Sequence, residues 1–391
     1  MFVLPIHRFV RGDEGLISIL SSRLISYSTI EFIIPLNLQP LYIMEIASHI
    51  KRLKKNKYPV TLLMVVFIFA NHVFAQILPN FGGERAGLST LSFLKNDMNP
   101  MSLGLSGASV ALKGNAFSAV TNTAGLTDLD QSTFAASHML LGAGIHQSFL
   151  SYQHKLKNEN VIGLSINSLN SGDMEVRTEF QPNGTGQFFN VSQNALGAHY
   201  AARLSEMFSL GVGFKLIYET MAGYQNTTAA VDVGFLYKTD FKNLRFAVFV
   251  QNFGGSSHVS GETVQVSYNR DGLPELSQYA LPTVFKMGFS FDAYHVKNHR
   301  LIPSLELNNP NDNSENIRIG LGYKYADVLH VGTGIKLSVK GQSYPTFGFS
   351  YKSRVGAHPM RISYAMNATN YMGTNHLLGV TIELNNRDRN E

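Results

Sequence analysis

From residue 132 onward, apolar and polar positions alternate with a period of two. In FSLGVGFKLIYE (208–219), Phe208, Leu210, Val212, Phe214, Leu216 and Tyr218 share one face; Ser209, Gly211, Gly213, Lys215, Ile217 and Glu219 share the other. Successive side chains of a strand point to opposite faces, so one face is wholly apolar and the other is small with single charges. The pattern recurs. NIRIGLGYKY sets Ile317, Ile319, Leu321, Tyr323 and Tyr325 against Arg318, Gly320, Gly322 and Lys324. VFKMGFSFD sets Phe285, Met287, Phe289 and Phe291 against Lys286, Gly288, Ser290 and Asp292, and AAVDVGFLYK follows suit with Leu236 as the exception. TFGFSYK, MRISYAMN and HLLGVTIEL close the series. Clusters of Gly, Asn, Asp and Lys separate these runs. They predict fourteen strands, at 132–142, 145–156, 160–170, 191–204, 207–219, 228–238, 243–253, 283–293, 300–308, 315–325, 327–338, 344–353, 359–367 and 375–384.

A soluble β-sandwich also alternates, with its apolar face inward. Its outer face, however, carries Lys, Glu and Thr in bulk, whereas here that face is mostly Gly, Ala and Ser. Small residues fit a confined lumen packed against something. Tyr218, Tyr237, Tyr323, Tyr325 and Tyr351 lie near strand ends, as an interfacial aromatic girdle requires. The reading is an all-β transmembrane antiparallel barrel, its apolar face toward lipid. No apolar run near twenty residues follows Ala75, so a membrane-resident chain must close its backbone as a barrel. An even strand count is what a single-chain bacterial barrel shows.

Upstream, KRLKKNK (51–57) and YPVTLLMVVFIFANHVFA (58–75) read as the basic and apolar regions of a secretory signal, with Val73 and Ala75 suiting cleavage after Ala75. The alternative, an uncleaved anchor, has Asn71 and His72 inside a short apolar run. Residues 1–43 do not fit a signal, and Met44 is the expected start. The predicted organisation is a leader over 1–75, an N-terminal plug over 76–131 and the barrel over 132–391. Outer-membrane lipid is then the surrounding partner. The net charge of +5 changes little: residues 1–75 hold 8 Lys/Arg and 4 Asp/Glu, leaving 24 against 23 for the rest. Nucleic-acid binding finds no support there.

Residues 76–131 are rich in small residues and read as loops with short helices. Fourteen strands leave an interior too wide for wall side chains to fill, and this segment is the natural filler. The longest connections, 171–190 and 254–282, both follow odd-numbered strands. With a periplasmic N-terminus both emerge on the extracellular side.

Enzyme chemistry is not expected. There is no Gly-x-Ser-x-Gly elbow, no His-Glu-x-x-His and no P-loop. The chain has no Cys, which removes thiolate nucleophiles, thiolate metal sites and disulfides, and its 13 His are scattered. No cofactor and no metal site is predicted. The lumen charges Lys215, Glu219, Arg245, Arg318 and Lys324, with Lys286, Asp292, Lys336 and Glu383, mix signs. They read either as a polar conducting or cargo-contacting lumen or as internal pairs that hold the plug to the wall, since buried charges need partners.

RAGLSTLSFLK (85–95), SLGLSGASVAL (102–112) and NAFSAVTNTAGL (115–126) resemble, in that order, the N-terminal signature of the PorV/PorQ family of FadL-like outer-membrane barrels. HYAARLSEMFSLGVGFKLIYE (199–219), LRFAVFVQNFGG (244–255), LELNNPNDNSENIRIGLGYKY (305–325) and RISYAMNATNYMGTNHLLGVTIEL (361–384) resemble its later strands. The plug motif on this reading is Gly104, Gly107, Ala108, Asn122, Ala124, Gly125 and Leu126. Thr123 stands where the family usually has Pro, Asn115 where it has Asp, and Met101 where Arg is frequent; without Pro to fix φ, the turn at 122–125 is expected to be less rigid. The resemblance implies a component of type IX protein secretion that binds the C-terminal signal domain of secreted proteins, or the attachment complex, alongside other secretion-system components. Phe180, Phe188, Phe189, Val264, Val266 and Tyr268, with Leu273, are the apolar loop residues for such a partner to cover. The alternative is a FadL-like channel for hydrophobic small molecules, to which the inward Ile217, Leu236 and Phe249 lend support. A plug that seals the lumen favours the first reading; a greasy path with an opening in the wall favours the second.

Overall fold

A computed structural model describes residues 87–156, 158–261, 278–339, 345–370 and 373–384. By its contacts the chain divides into Met1–Ala75 and Gln76–Glu391; the first unit lies outside the described residues, as do the leader features placed on it.

The alternating segments form one closed antiparallel barrel of fourteen long strands. These are β1 (Thr133–Gly142), β2 (Ile145–Lys155), β3 (Val161–Asn170), β4 (Val191–Arg203), β5 (Phe208–Met221), β6 (Tyr224–Lys238), β7 (Arg245–Gly254), β8 (Val284–Ser290), β9 (His299–Pro310), β10 (Asn316–Tyr325), β11 (Leu329–Leu337), β12 (Thr346–Val355), β13 (His358–Thr369) and β14 (Gly373–Glu383). Each strand pairs with the next, and β1 closes on β14 from Thr133↔Glu383 to Leu140↔His376. Closure leaves the sheet no free edge, as a bilayer demands of a strand-built wall. Among the described residues no helix is long and apolar enough to cross a membrane.

The outer face is the predicted greasy one. Leu164, Leu196, Leu216 and Leu378 are exposed, while the chain neighbours Ser165, Lys215 and Ile217 are buried. Strand boundaries agree with the alternation to within a few residues except at β5–β6, where the ladder runs on to Met221↔Tyr224. Beyond Tyr218 the pattern turns polar (Thr220, Gln225, Thr227), so period-two hydrophobicity ends before the strands do. The tip is a two-residue turn with positive φ at Ala222 (48°) and Gly223 (90°), the backbone such hairpins prefer. Four short strands also lie in segments predicted as loops or strand ends. Met174–Glu175 pairs with Phe188–Phe189, and Ser256–Ser260 with Gln278–Ala280. A further short strand, Tyr294–Val296, extends the β8–β9 hairpin. The two longest loops leave the barrel at the same end, opposite the one where β1 begins and β14 finishes.

The lumen is filled by residues 87–131. This segment has a 3₁₀ turn (Ser92–Lys95), the short helices α1 (Pro100–Gly104) and α2 (Ser118–Thr121), and a second 3₁₀ turn (Thr123–Asp128). Asn99 caps α1 by accepting from Met101 N at 3.1 Å, with Pro100 at the first helical position. The segment runs the length of the barrel. Ser89 bridges to Ala280 near the long-loop end, and Asp128 meets Lys238 and Arg245 at the opposite end.

Small wall residues exist where this backbone touches the wall. A Cβ on Gly348 would stand 2.9 Å from the Cα of Gly104, and a Cβ on Gly104 would stand 2.7 Å from the Cα of Gly348. Gly211 abuts the Thr123–Ala124 peptide and Gly379 the Pro100 ring in the same way. By contrast, a Cβ on Gly322 meets only Ile302 O, at 3.6 Å. Gly348→Val is therefore expected to lower unfolding free energy by about 1–3 kcal/mol through overpacking, measured by denaturant titration in detergent micelles, while Gly322→Ala leaves it near wild type.

Candidate functional site

A segment with so little helix has backbone carbonyls to satisfy, and the wall supplies the donors. Ser137 Oγ donates to Met98 O at 2.8 Å, Ser290 Oγ to Ala111 O at 2.8 Å, and Thr346 Oγ1 to Gly104 O at 3.0 Å. Gln147 Nε2 reaches Phe93 O at 3.2 Å, and Gln251 Nε2 reaches Val120 O at 3.2 Å. Lys155 Nζ donates to Leu129 O at 2.6 Å and Arg203 Nη2 to Thr127 O at 2.8 Å. Between these polar contacts lie four apolar clusters; one joins Leu91, Phe93 and Leu94 to Ala195, Ile217, Ala230 and Leu281, and another joins Val110, Ala111 and Ala124 to Leu236, Ala247 and Phe249.

The plug motif sits inside this packing. Gly104, Gly107, Ala108, Asn122, Ala124, Gly125 and Leu126 are all buried. The expected looseness at Thr123 is not what the structure has. Asn122 Oδ1 accepts from Ala124 N at 3.1 Å, and its Nδ2 donates to Val110 O at 2.9 Å and Phe235 O at 3.4 Å. The asparagine fixes the turn from three sides, so a proline is not needed to set it.

All five predicted lumen charges face inward, but they do different work. Arg245 Nη1 contacts Asp128 Oδ2 at 2.6 Å, and Lys238 holds the other oxygen. Burial opposes ionisation of Asp128, but Arg245 and Lys238 outweigh it and hold the carboxyl below the usual range. Arg318 lies 3.5 Å from Glu306, whose second oxygen accepts from Ser109 N and Val110 N, both at 3.0 Å. The Asp128 pairs and the Glu306 carboxylate's bonds to Ser109 N and Val110 N join plug to wall, while Arg318 opposes Glu306 within the wall itself. Lys215 instead pairs with Asp232 at 2.7 Å within the wall and donates to Asn252 Oδ1 at 2.8 Å. Glu219 accepts from the amides of Gln193 and Asn226. Lys324 lines a cavity at the end where β1 begins. Asp128, Glu306 and Asp232 were not singled out in the sequence, although the charged wall positions 238, 245 and 318 implied partners for them. Among the described residues no group of three or more His, Asp or Glu is placed to hold a metal.

The wall has one notable irregularity. The β7–β8 ladder ends at Gln251↔Val284 and pairing resumes only at Ser256↔Ala280. The break coincides with a register shift against β6 around Asp232, a left-handed Asn252 (φ 58°) and the Gly254–Gly255 pair. Asn252 Nδ2 donates to Pro282 O at 3.3 Å, and Thr283 Oγ1 to Asn252 O at 3.0 Å, so side chains span part of it. Leu281 is buried on the lumen side among Leu91, Phe93, Leu94 and Ile217, and Phe253 is 64% exposed on the outside. β3, by comparison, keeps an unbroken register with both neighbours.

Of the proposed loop residues, Phe180 (95% exposed) and Phe188 (64%) are on the surface of the small hairpin, with Phe189 half-buried. Val264, Val266 and Tyr268, like Leu273, lie outside the described residues.

No family model matches this sequence, and no curated protein does. Among solved structures the barrel is similar to a TodX deltaS2S3 mutant monoaromatic hydrocarbon channel, with TM-score 0.50 and 11% identity over 74% of this chain and 99% of that one. It is also similar to the Ralstonia pickettii toluene transporter TbuX (TM-score 0.47, 10% identity, 74% and 98% covered). A Pseudomonas aeruginosa FadL homologue aligns with TM-score 0.46 at 10% identity, covering 76% and 99%. At such identity the likeness concerns the fold alone: a closed fourteen-strand antiparallel β-barrel of the kind these outer-membrane channels have.

Asp128→Asn leaves Lys238 and Arg245 without their buried counter-charge, and is expected to lower stability by about 3–5 kcal/mol. Because the Asp128 carboxyl is held below its unfolded value, its contribution is complete above about pH 4 and is lost as pH falls through the lowered value. Melting temperature against pH checks this: the acid-side drop is expected to be smaller in Asp128→Asn than in wild type.

Proposed function

We propose that this barrel passes a hydrophobic small molecule between its lumen and the surrounding bilayer through the wall between β7 and β8. The observation that carries the reading is the interrupted ladder at 252–255 and 281–283, backed on the inside by the apolar cluster around Leu281. An unpaired stretch of wall is where a small displacement costs fewest hydrogen bonds, and an apolar solute crossing there passes from greasy lumen to lipid without meeting water. Residues 87–131 occupy the lumen along its length, which favours a lateral route over an axial one. A monoaromatic hydrocarbon channel of similar fold points the same way.

The protein's lack of Cys makes the test clean. Gly254 and Leu281 face each other across the break, a Cβ on Gly254 falling 2.5 Å from Leu281 Cδ1. In a Gly254→Cys/Leu281→Cys variant reconstituted into liposomes, oxidation is expected to stop uptake of a radiolabelled monoaromatic tracer, and reductant to restore it. Equal uptake in both redox states would remove the lateral route.

A second reading, binding of a secreted domain in type IX secretion as in PorV/PorQ-like proteins, is favoured by the exposed aromatic tip. Two phenylalanines, at 95% and 64% exposure, are costly in water without a partner. On that reading Phe180→Ser/Phe188→Ser reduces co-purification of secreted proteins from the native outer membrane; unchanged recovery counts against it.

A further inference from the structure

We infer that the cavity at the end of the lumen where β1 begins is a binding site for the anionic oxygen group, carboxylate or phosphate, of a small solute. The cavity measures about 220 Å³, room for a head group or small organic anion and not for a protein domain. It is separate from the β7–β8 wall break, and nothing in it requires the lateral route.

Its lining brings like charges face to face. Arg300 and Lys324 are directly opposed in the β9–β10 ladder, Lys324 and His330 in the β10–β11 ladder, and Lys352 and Arg361 in the β12–β13 ladder. Like charges directly across a strand pair destabilise a sheet. Part of this basic strip is answered from within. Arg361 lies 3.7 Å from Asp327, and Lys352 lies 3.2 Å from Glu383 and 3.9 Å from Asp327. Asp327 also meets His330 at 3.1 Å, and on the plug side Lys113 has Asp130 at 3.8 Å.

Arg300 and Lys324 have no such direct ion pair, although Asp327, shared with Arg361, Lys352 and His330, attracts Lys324 from farther off. Among the described residues no carboxylate oxygen stands within 4.0 Å of either. Arg300 Nε donates to His295 Nε2 at 3.1 Å, which is not a carboxylate. Asp292 is the one lining carboxylate outside the pairs above, which leaves two cations without a direct ion pair against one anion. An ammonium beside a guanidinium, on a concave surface opposite the plug, is the arrangement that recognises a carboxylate or phosphate by charge-assisted hydrogen bonds. A bound anion would also relieve the repulsion built into the β9–β10 rung.

Isothermal titration of the full-length barrel in detergent micelles at low ionic strength, with inorganic phosphate and separately with acetate, tests this. Saturable binding of at least one is expected, and which one binds distinguishes a phosphate from a carboxylate ligand. Arg300→Gln/Lys324→Gln is expected to weaken binding by about tenfold or more, and Asp292→Asn to tighten it. Lys242→Gln, on an exposed turn at the same end but outside the cavity, leaves it unchanged. Neutralising two opposed like charges should hold or raise the melting temperature. Absence of saturable binding with both anions overturns the assignment, as does equal weakening by Lys242→Gln. A fall in melting temperature in the double variant also overturns it, since that shows the two cations to be already compensated.

Discussion

The structure rests on backbone-to-wall contact across the lumen. A barrel of fourteen strands is too wide to fill with its own side chains, so a second stretch of chain must occupy it. That stretch is nearly devoid of regular structure, and each buried carbonyl in it needs a donor. The wall meets the need by alternating two kinds of inward position. Glycines such as Gly348, Gly211 and Gly379 let the plug approach to backbone contact. Serine, threonine and glutamine between them donate to plug carbonyls. The small, weakly polar inner face is thus the complement of one particular segment, and the wall and the plug specify each other.

Charge adds location to this fit. Asp128 and Glu306 reach between plug and wall, one near each half of the segment, and each is held by more than one donor. A buried carboxylate with cationic or N–H partners on another element is strongly position-specific, because losing those partners leaves it uncompensated. The plug is pinned at these points and merely packed between them. Among the described residues Arg300 and Lys324, like the inward Lys286 and Lys336, have no carboxylate within ion-pair distance, and of the four these two line the cavity.

The wall break between β7 and β8 follows from local backbone chemistry. Asn252 tolerates positive φ, Gly254 and Gly255 impose no side chain, and Pro282 brings no N–H to a ladder. Together they let β7 and β8 part and rejoin while the rest of the barrel stays paired. That the inner side of this place is the cluster of Leu91, Phe93, Leu94, Ile217 and Leu281, and not a charged stretch, gives the two readings of function unequal footing: the sealed axis alone suits a protein-binding barrel, but the seal beside an apolar wall break suits lateral passage.

The sequence by itself determined the barrel, its strand number, which residues face lipid and where the long loops emerge, because period-two alternation is imposed by strand geometry and is readable one strand at a time. It marked the plug by its small residues and placed Lys215, Glu219, Arg245, Arg318 and Lys324 inside. It did not show which of those charges pair across the lumen. Asp128 meets Arg245 from 117 positions away and Ser109 meets Glu306 from 197 away, and no local pattern encodes such a meeting. It hid the true length of β5 and β6, where polar residues continue a strand past the apolar band. Nor did NFGG followed by LP, far along the chain, announce a gap in a wall, since that gap exists only once β7 and β8 lie side by side. The tertiary structure decided these matters because they depend on which surfaces the closed barrel brings within hydrogen-bonding distance.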